Sequence, residues 1–191
     1  MSLFDRAELA PADPILGLTE AYNADTRAEK VNLGVGVYLG EDGKLPLMKA
    51  VRAAEERITQ QRRAKAYLGI DGMPAYRDAV RELIFGADSS ALADGRVATV
   101  QSLGGTGALK IGADLLRQLS PEATVLISNP SWENHWALFT RAGFDVETYR
   151  YYDAGIKGID FDGMLEDLRA AEPGTVVVLH ACCHNPTGYD L

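Results

Sequence analysis

Residues 124–135, Thr124-Val-Leu-Ile-Ser-Asn-Pro-Ser-Trp-Glu-Asn-His135, decide how the rest of the chain is read. Thr124 to Ser128 is a short apolar, β-branched run of strand length. Asn129-Pro130-Ser131 interrupts it with turn formers, and Asn129 or Ser131 offers a side-chain oxygen to cap a following helix. Trp132 to Ala142 reads as that helix. The unit is therefore strand, polar turn, helix, and its polar residues fall at the strand's carboxyl end.

The same alternation extends in both directions. On the N-terminal side, Val97 to Leu103 reads as a strand and Gly107 to Leu119 as a helix. On the C-terminal side, Asp145 to Tyr151 reads as a strand, Phe161 to Ala171 as a helix and Thr175 to His180 as a strand. Short apolar runs joined through helices predict an α/β fold, a mostly parallel sheet flanked by helices. In such sheets ligands bind at the carboxyl ends of the strands. Before residue 96 the pattern differs. An apolar segment around Pro14, Ile15, Leu16 and Leu18 reads as an arm, and Val31 to Leu39, with its glycines, as a short extended element. Leu47 to Gln61 and Pro74 to Phe85 read as amphipathic helices, each with one buried side.

Composition removes several classes of function. Asp and Glu outnumber Lys and Arg by 27 to 19, and a net charge of -8 repels a nucleic-acid backbone, so any phosphate must be held by a local device. No uncharged apolar run is long enough to span a bilayer. Met1 to Leu18 lacks the basic and apolar regions of a secretory signal, which reads as cytoplasmic. Cys182 and Cys183 are neighbours; a trans peptide holds their α-carbons about 3.8 Å apart, too close for an ordinary disulfide, so both read as reduced.

Three polar clusters stand where strands are expected to end. The first, Gly104-Gly105-Thr106-Gly107-Ala108-Leu109-Lys110, enters a helix. Glycines admit close approach of an anion, the first helical turn has free N–H groups, and Thr106 adds a hydroxyl donor. A tight turn without ligand fits these residues as well. A Walker A loop is excluded because Ala108 follows Gly107, and a dinucleotide fingerprint is disfavoured because Lys110 stands where a glycine is needed. The second cluster is Asn129 to His135, where Trp132 either packs in the core or stacks on a planar ring, with His135 one turn behind it. The third is His180-Ala-Cys-Cys-His-Asn-Pro-Thr-Gly188, whose bland reading is a turn. Metal binding is a poor alternative there, since His184 and the two cysteines are too crowded to close a tetrahedral site.

Taken together these residues resemble one family, the aspartate and aromatic aminotransferases of the pyridoxal-phosphate-dependent fold type I. The matching stretches are Pro11 to Leu18, Asn32 to Tyr38, Tyr67 to Gly72, Gly104 to Leu109, Asn129 to His135 and His184 to Gly188, in the family's order. The resemblance implies pyridoxal 5'-phosphate as cofactor and a ping-pong exchange of an amino group between an amino acid, aspartate or aromatic, and a 2-oxo acid such as 2-oxoglutarate. By position, Gly105 and Thr106 would hold the cofactor phosphate and Trp132 would stack on the pyridine ring. Asn185 would donate to the phenolic oxygen, and His135 would support the site from behind. Gly36 would meet the substrate carboxylate beside the apolar Val35, together with Trp132 and Asn185. Tyr67 would reach the phosphate of a neighbouring subunit, which implies a homodimer.

The resemblance also divides the chain: residues 1–18 as an N-terminal arm, 19–46 as the N-terminal piece of a small domain, and 47–191 as the first part of an incomplete cofactor-binding large domain. Cis peptides are expected at Asn129-Pro130 and Asn185-Pro186. The Schiff-base lysine and the substrate-gripping arginines are expected beyond Leu191, which leaves the chain without a catalytic residue of its own and the strand near Val97 separated from the later strands. The alternatives are a non-catalytic fragment or phosphate-ligand-binding module, and a lyase of the same fold. Arg96 to Thr99 and Leu103 to Gly105 lean toward the aromatic branch without deciding it.

Overall fold

The computed structural model describes residues 14–32, 34 and 36–191. The arm expected over residues 1–18 lies largely outside these, as does Val35. The chain divides into two compact units, Met1–Ala66 and Tyr67–Leu191.

Among the described residues the first unit holds two helices, α1 (Pro14–Ala24) and α2 (Lys49–Gln61). Helix α1 was read from sequence only as an apolar segment. Lys30 caps its C-terminal end, Nζ donating to the carbonyl of Tyr22 in the last turn at 2.7 Å and to that of Asp25, just past the helix, at 2.6 Å. A cation suits that end of a helix, where carbonyls lack partners and the dipole is negative. Residues 36–40 belong to no helix or paired strand. Helix α2 follows its sequence pattern, with an Arg52–Glu56 pair one turn apart at 3.2 Å. It ends at Arg62 in the left-handed conformation, φ 44°.

The second unit carries α3 (Pro74–Phe85), α4 (Ser90–Ala93), α5 (Gly104–Leu119), β1 (Thr124–Asn129), α6 (Glu133–Arg141), β2 (Asp145–Arg150), β3 (Tyr152–Asp153), β4 (Gly158–Ile159), α7 (Phe161–Ala170) and β5 (Val176–Val177). The main sheet has the order β2-β1-β5, all parallel, with Val125 opposite both Val146 and Val176. β1 is central and buried on both faces because its side chains alternate. Val125 and Ile127 pack with Ala113 of α5, Phe139 of α6 and Phe144. Leu126 faces the other way and packs with Tyr149, Tyr151 and Met164 of α7. Helix α7 starts at a side-chain cap, Asp160 Oδ1 accepting from the Gly163 N–H at 2.9 Å. The parallel α/β architecture expected from sequence is the one observed.

Three expectations are corrected. Val97 to Leu103 belongs to no sheet among the described residues. Strand identity requires a ladder partner, and this segment is engaged instead by the 71–73 turn: Gln101 N–H donates to the Asp71 carbonyl at 3.1 Å, and Met73 N–H to Gln101 Oε1 at 2.9 Å. Of Thr175 to His180, only Val176–Val177 forms strand, paired on one side with β1. Nor do α2 and α3 have the buried sides their patterns predict. Every residue of both is exposed or half-buried, Ile58, Leu83 and Ile84 each by more than 60%. Amphipathic spacing shows which face seeks cover, not what supplies it.

Candidate functional site

Two of the three polar clusters follow strands of one parallel sheet at the same edge. Asn129 ends β1 and leads into Trp132, the residue preceding α6; the chain after β5 leads to His180 and Asn185. The third cluster follows the unpaired 97–103 segment and opens α5. Gly104 there has φ +65°, a left-handed backbone that glycine adopts without strain. The peptides Asn129-Pro130 and Asn185-Pro186 are both cis, as expected.

At the start of α5, Gly105 and Thr106 are exposed, and a Cβ at Gly105 would meet no described atom within 4 Å. The first turn carries no acidic side chain, so its N–H groups and the positive end of the helix dipole face outward unopposed. Asn134, on the first turn of α6, donates from Nδ2 to Thr106 Oγ1 at 3.1 Å. That bond joins the first cluster to the second and occupies an acceptor site, leaving the Thr106 hydroxyl proton free to donate.

From the second cluster a chain of rings runs to the third. Half-buried Trp132 meets His135 edge-on, 5.3 Å between centroids. His135 is buried, with Nδ1 3.0 Å from Ser131 Oγ, and lies 5.0 Å from the His180 ring. His180 lies 4.3 Å from His184. Both ring nitrogens of His180 are buried with no hydrogen-bond partner among the described residues. His184 is buried and well held: Nε2 is 2.9 Å from Ser128 Oγ, Nδ1 is 2.8 Å from Thr187 Oγ1, and its ring stacks on Tyr151 at 3.9 Å. Asn185, next in sequence, is exposed.

Burial dominates the titration of this cluster. It pushes His135 below the ordinary imidazole value, helped by the neighbouring rings of His180 and His184. Burial lowers His180 and His184 too, with Asp190 opposing in both. Asp190 accepts the successive backbone N–H groups of His184 at 2.7 Å and Cys183 at 2.8 Å, which hold its carboxyl below the usual range. Tyr149, whose hydroxyl donates to the Val178 carbonyl at 2.9 Å, is pushed up to about 12 by burial. The imidazoles are therefore neutral groups at physiological pH.

The remaining sequence candidates lie apart from these contacts. Tyr67 is fully exposed, ahead of a turn closed by Gly72 N–H to the Gly69 carbonyl at 2.9 Å. Gly36 belongs to the first unit, where it is exposed. Sequence reasoning did not single out Ser128, Asn134, Tyr151 or Asp190. Only Ser128 left a signal, a hydroxyl at the end of an otherwise apolar strand.

A helix N-terminus and two X–Pro turns are thus joined by a continuous set of contacts in a parallel α/β domain, a class of fold in which ligands bind at the carboxyl edge of the sheet. The profile of the family described as "Aminotransferase class I and II" matches residues 28–191, and the chain belongs to that family. An aspartate aminotransferase of Pseudomonas aeruginosa is 59% identical over 191 residues, covering 100% of this chain and 48% of that protein. The aromatic-amino-acid aminotransferase of Escherichia coli K12 is 47% identical over 190 residues, 99% of this chain and 48% of that one. The crystal structure of an aromatic-amino-acid aminotransferase from Burkholderia pseudomallei, covalently bound to pyridoxal phosphate, superposes with a TM-score of 0.96 at 64% identity, covering 100% of this chain and 48% of that structure. The chain thus spans about half the length of the relatives it matches. No described helix is long and apolar enough to cross a membrane.

Proposed function

We propose that this chain supplies the phosphate cup and one face of the cofactor site in a pyridoxal-phosphate-dependent aminotransferase, acting on aspartate or an aromatic amino acid and a 2-oxo acid by a ping-pong exchange. The observation that carries the reading is the outward-facing start of α5, with exposed Gly105 and Thr106, tied by Asn134 to the turn bearing Trp132. The donor set suits the group: free backbone N–H groups and a hydroxyl suit a phosphate, a half-buried indole suits a planar ring, and an exposed amide suits a phenolate oxygen.

In this reading Gly105 and Thr106 hold the phosphate, and Trp132 sets the plane of the ring. Asn185 donates to the phenolic oxygen and keeps it anionic. His135 supports Trp132 edge-on and, being neutral, adds no positive charge behind the ring. Bound pyridoxal phosphate supplies the electron sink for the substrate's α-carbon. Gly36 offers its backbone to the substrate carboxylate, and Tyr67 reaches the phosphate of a second subunit in a homodimer. In this reading the proton-transferring lysine and the carboxylate-gripping arginines are not among residues 1–191. Residues 1–18 then form the arm, 19–46 a piece of the small domain and 47–191 the first part of the large one, in a cytoplasmic enzyme.

One experiment tests this reading. Full-length protein is expected to bind pyridoxal phosphate with an internal Schiff-base absorbance and to transfer an amino group from aspartate or tyrosine to 2-oxoglutarate, whereas residues 1–191 alone do neither. Ordinary turnover by the isolated chain would place the lysine wrongly, and no cofactor binding by the full-length protein would refute the assignment.

A further inference from the structure

His184 ties the turn that carries Asn185 to the strand that leads to Trp132, and its contacts differ in reach. Thr187 Oγ1, on Nδ1 at 2.8 Å, belongs to the same loop, as does the Gly188 N–H that donates to the His184 carbonyl at 2.7 Å. Ser128 Oγ, on Nε2 at 2.9 Å, belongs to β1, 56 residues earlier. Tyr151, under the ring at 3.9 Å, follows β2. Ser128 is followed directly by Asn129-Pro130 and His184 by Asn185-Pro186, so the Nε2–Ser128 bond joins the two cis X–Pro turns at their roots. Both partners are buried, 1% exposed for Ser128 and 2% for His184, and water does not readily replace the bond if it is lost. A neutral imidazole offers one donor and one acceptor, which two flanking hydroxyls satisfy together.

We propose that His184 is a positioning residue: through its Nε2–Ser128 bond it holds Asn185 at a fixed height relative to Trp132, so that the amide meets the edge of the ring the indole stacks on. The inference rests on the cofactor reading above. His184 itself touches neither cofactor nor substrate; it acts through Asn185.

The two amide side chains separate its two ring contacts. Glutamine places its amide where Nε2 stood and keeps Ser128 within reach; asparagine places it where Nδ1 stood and keeps only Thr187. In full-length protein titrated with pyridoxal phosphate, His184→Asn and Ser128→Ala are each expected to weaken binding about tenfold, while His184→Gln stays within about twofold of wild type. In an Asn185→Ala background, His184→Asn and Ser128→Ala should weaken binding no further. A purely structural role would predict the same loss with or without Asn185. Should His184→Asn fail to fold, the milder Ser128→Ala carries the same comparison. A tenfold loss persisting in the Asn185→Ala background, or equal losses for the asparagine and glutamine variants, overturns the inference while leaving the cofactor reading intact. Wild-type protein that does not bind pyridoxal phosphate overturns both.

Discussion

Replacing Gly72 with alanine puts a number on how the Tyr67–Gly72 turn is docked. Gly72 has φ +92°, and a Cβ there would lie 2.3 Å from Gln101 Cβ and 3.3 Å from Gln101 Cα. The left-handed backbone costs an alanine about 1–2 kcal/mol. Relieving the overlap means moving Gln101, because its Cβ is anchored to the main chain rather than at the end of a flexible side chain. The move strains two bonds, Gln101 N–H to the Asp71 carbonyl at 3.1 Å and Met73 N–H to Gln101 Oε1 at 2.9 Å, each contributing about 0.5–1.5 kcal/mol. The expected loss is about 2–5 kcal/mol. Gly174 is the control: its φ is also +92°, but a Cβ there meets nothing within 4 Å, so Gly174→Ala carries only the backbone penalty of about 1–2 kcal/mol. Urea unfolding of the two full-length variants, extrapolated to water, should separate them by about 1–3 kcal/mol with Gly72→Ala the weaker. Equal stabilities, within about 0.5 kcal/mol, would refute the claim that close approach to Gln101 docks this turn.

Two further outcomes are expected. His135, His180 and His184 all sit below the ordinary imidazole value in the folded protein, chiefly through burial, so the unfolded chain binds more protons as pH falls below about 6.5. Their contribution is fully present above that pH and is lost as pH falls through the folded values. Melting temperature should therefore hold level near pH 7–8 and drop toward pH 5, and a rise on acidification would contradict the neutral cluster. Asp160→Ala removes the cap on α7, where Gly163 leaves room for the carboxylate, and should cost about 1 kcal/mol in thermal unfolding, an unchanged melting temperature counting against the cap.

Local pattern was enough for elements whose partners lie close in sequence or whose chemistry is punctuated by proline and glycine. Pro74 at the start of α3 and the apolar run of β1 could be read directly, since each reflects backbone preference and spacing. So could the alternation of strand and helix that demands a parallel sheet, and the motif order that resembles one family from Pro11 to Gly188. What the sequence left open were the properties that depend on a distant partner. Val97 to Leu103 has the composition of a strand, yet strand pairing is a property of two segments, and no ladder partner for it is present among the described residues. The sides of α2 and α3 announce a wish for cover that only a neighbouring element can satisfy. Asn134 on Thr106 and Ser128 on His184 join residues 28 and 56 positions apart, and nothing local in either partner names the other. The sequence by itself determined the fold class and the motifs of its family, because backbone preference and hydrophobic period act over a few residues. Only the tertiary structure decided which buried hydroxyls and imidazoles hold those motifs to one edge of the sheet, because hydrogen bonds and burial are set by where distant parts of the chain meet.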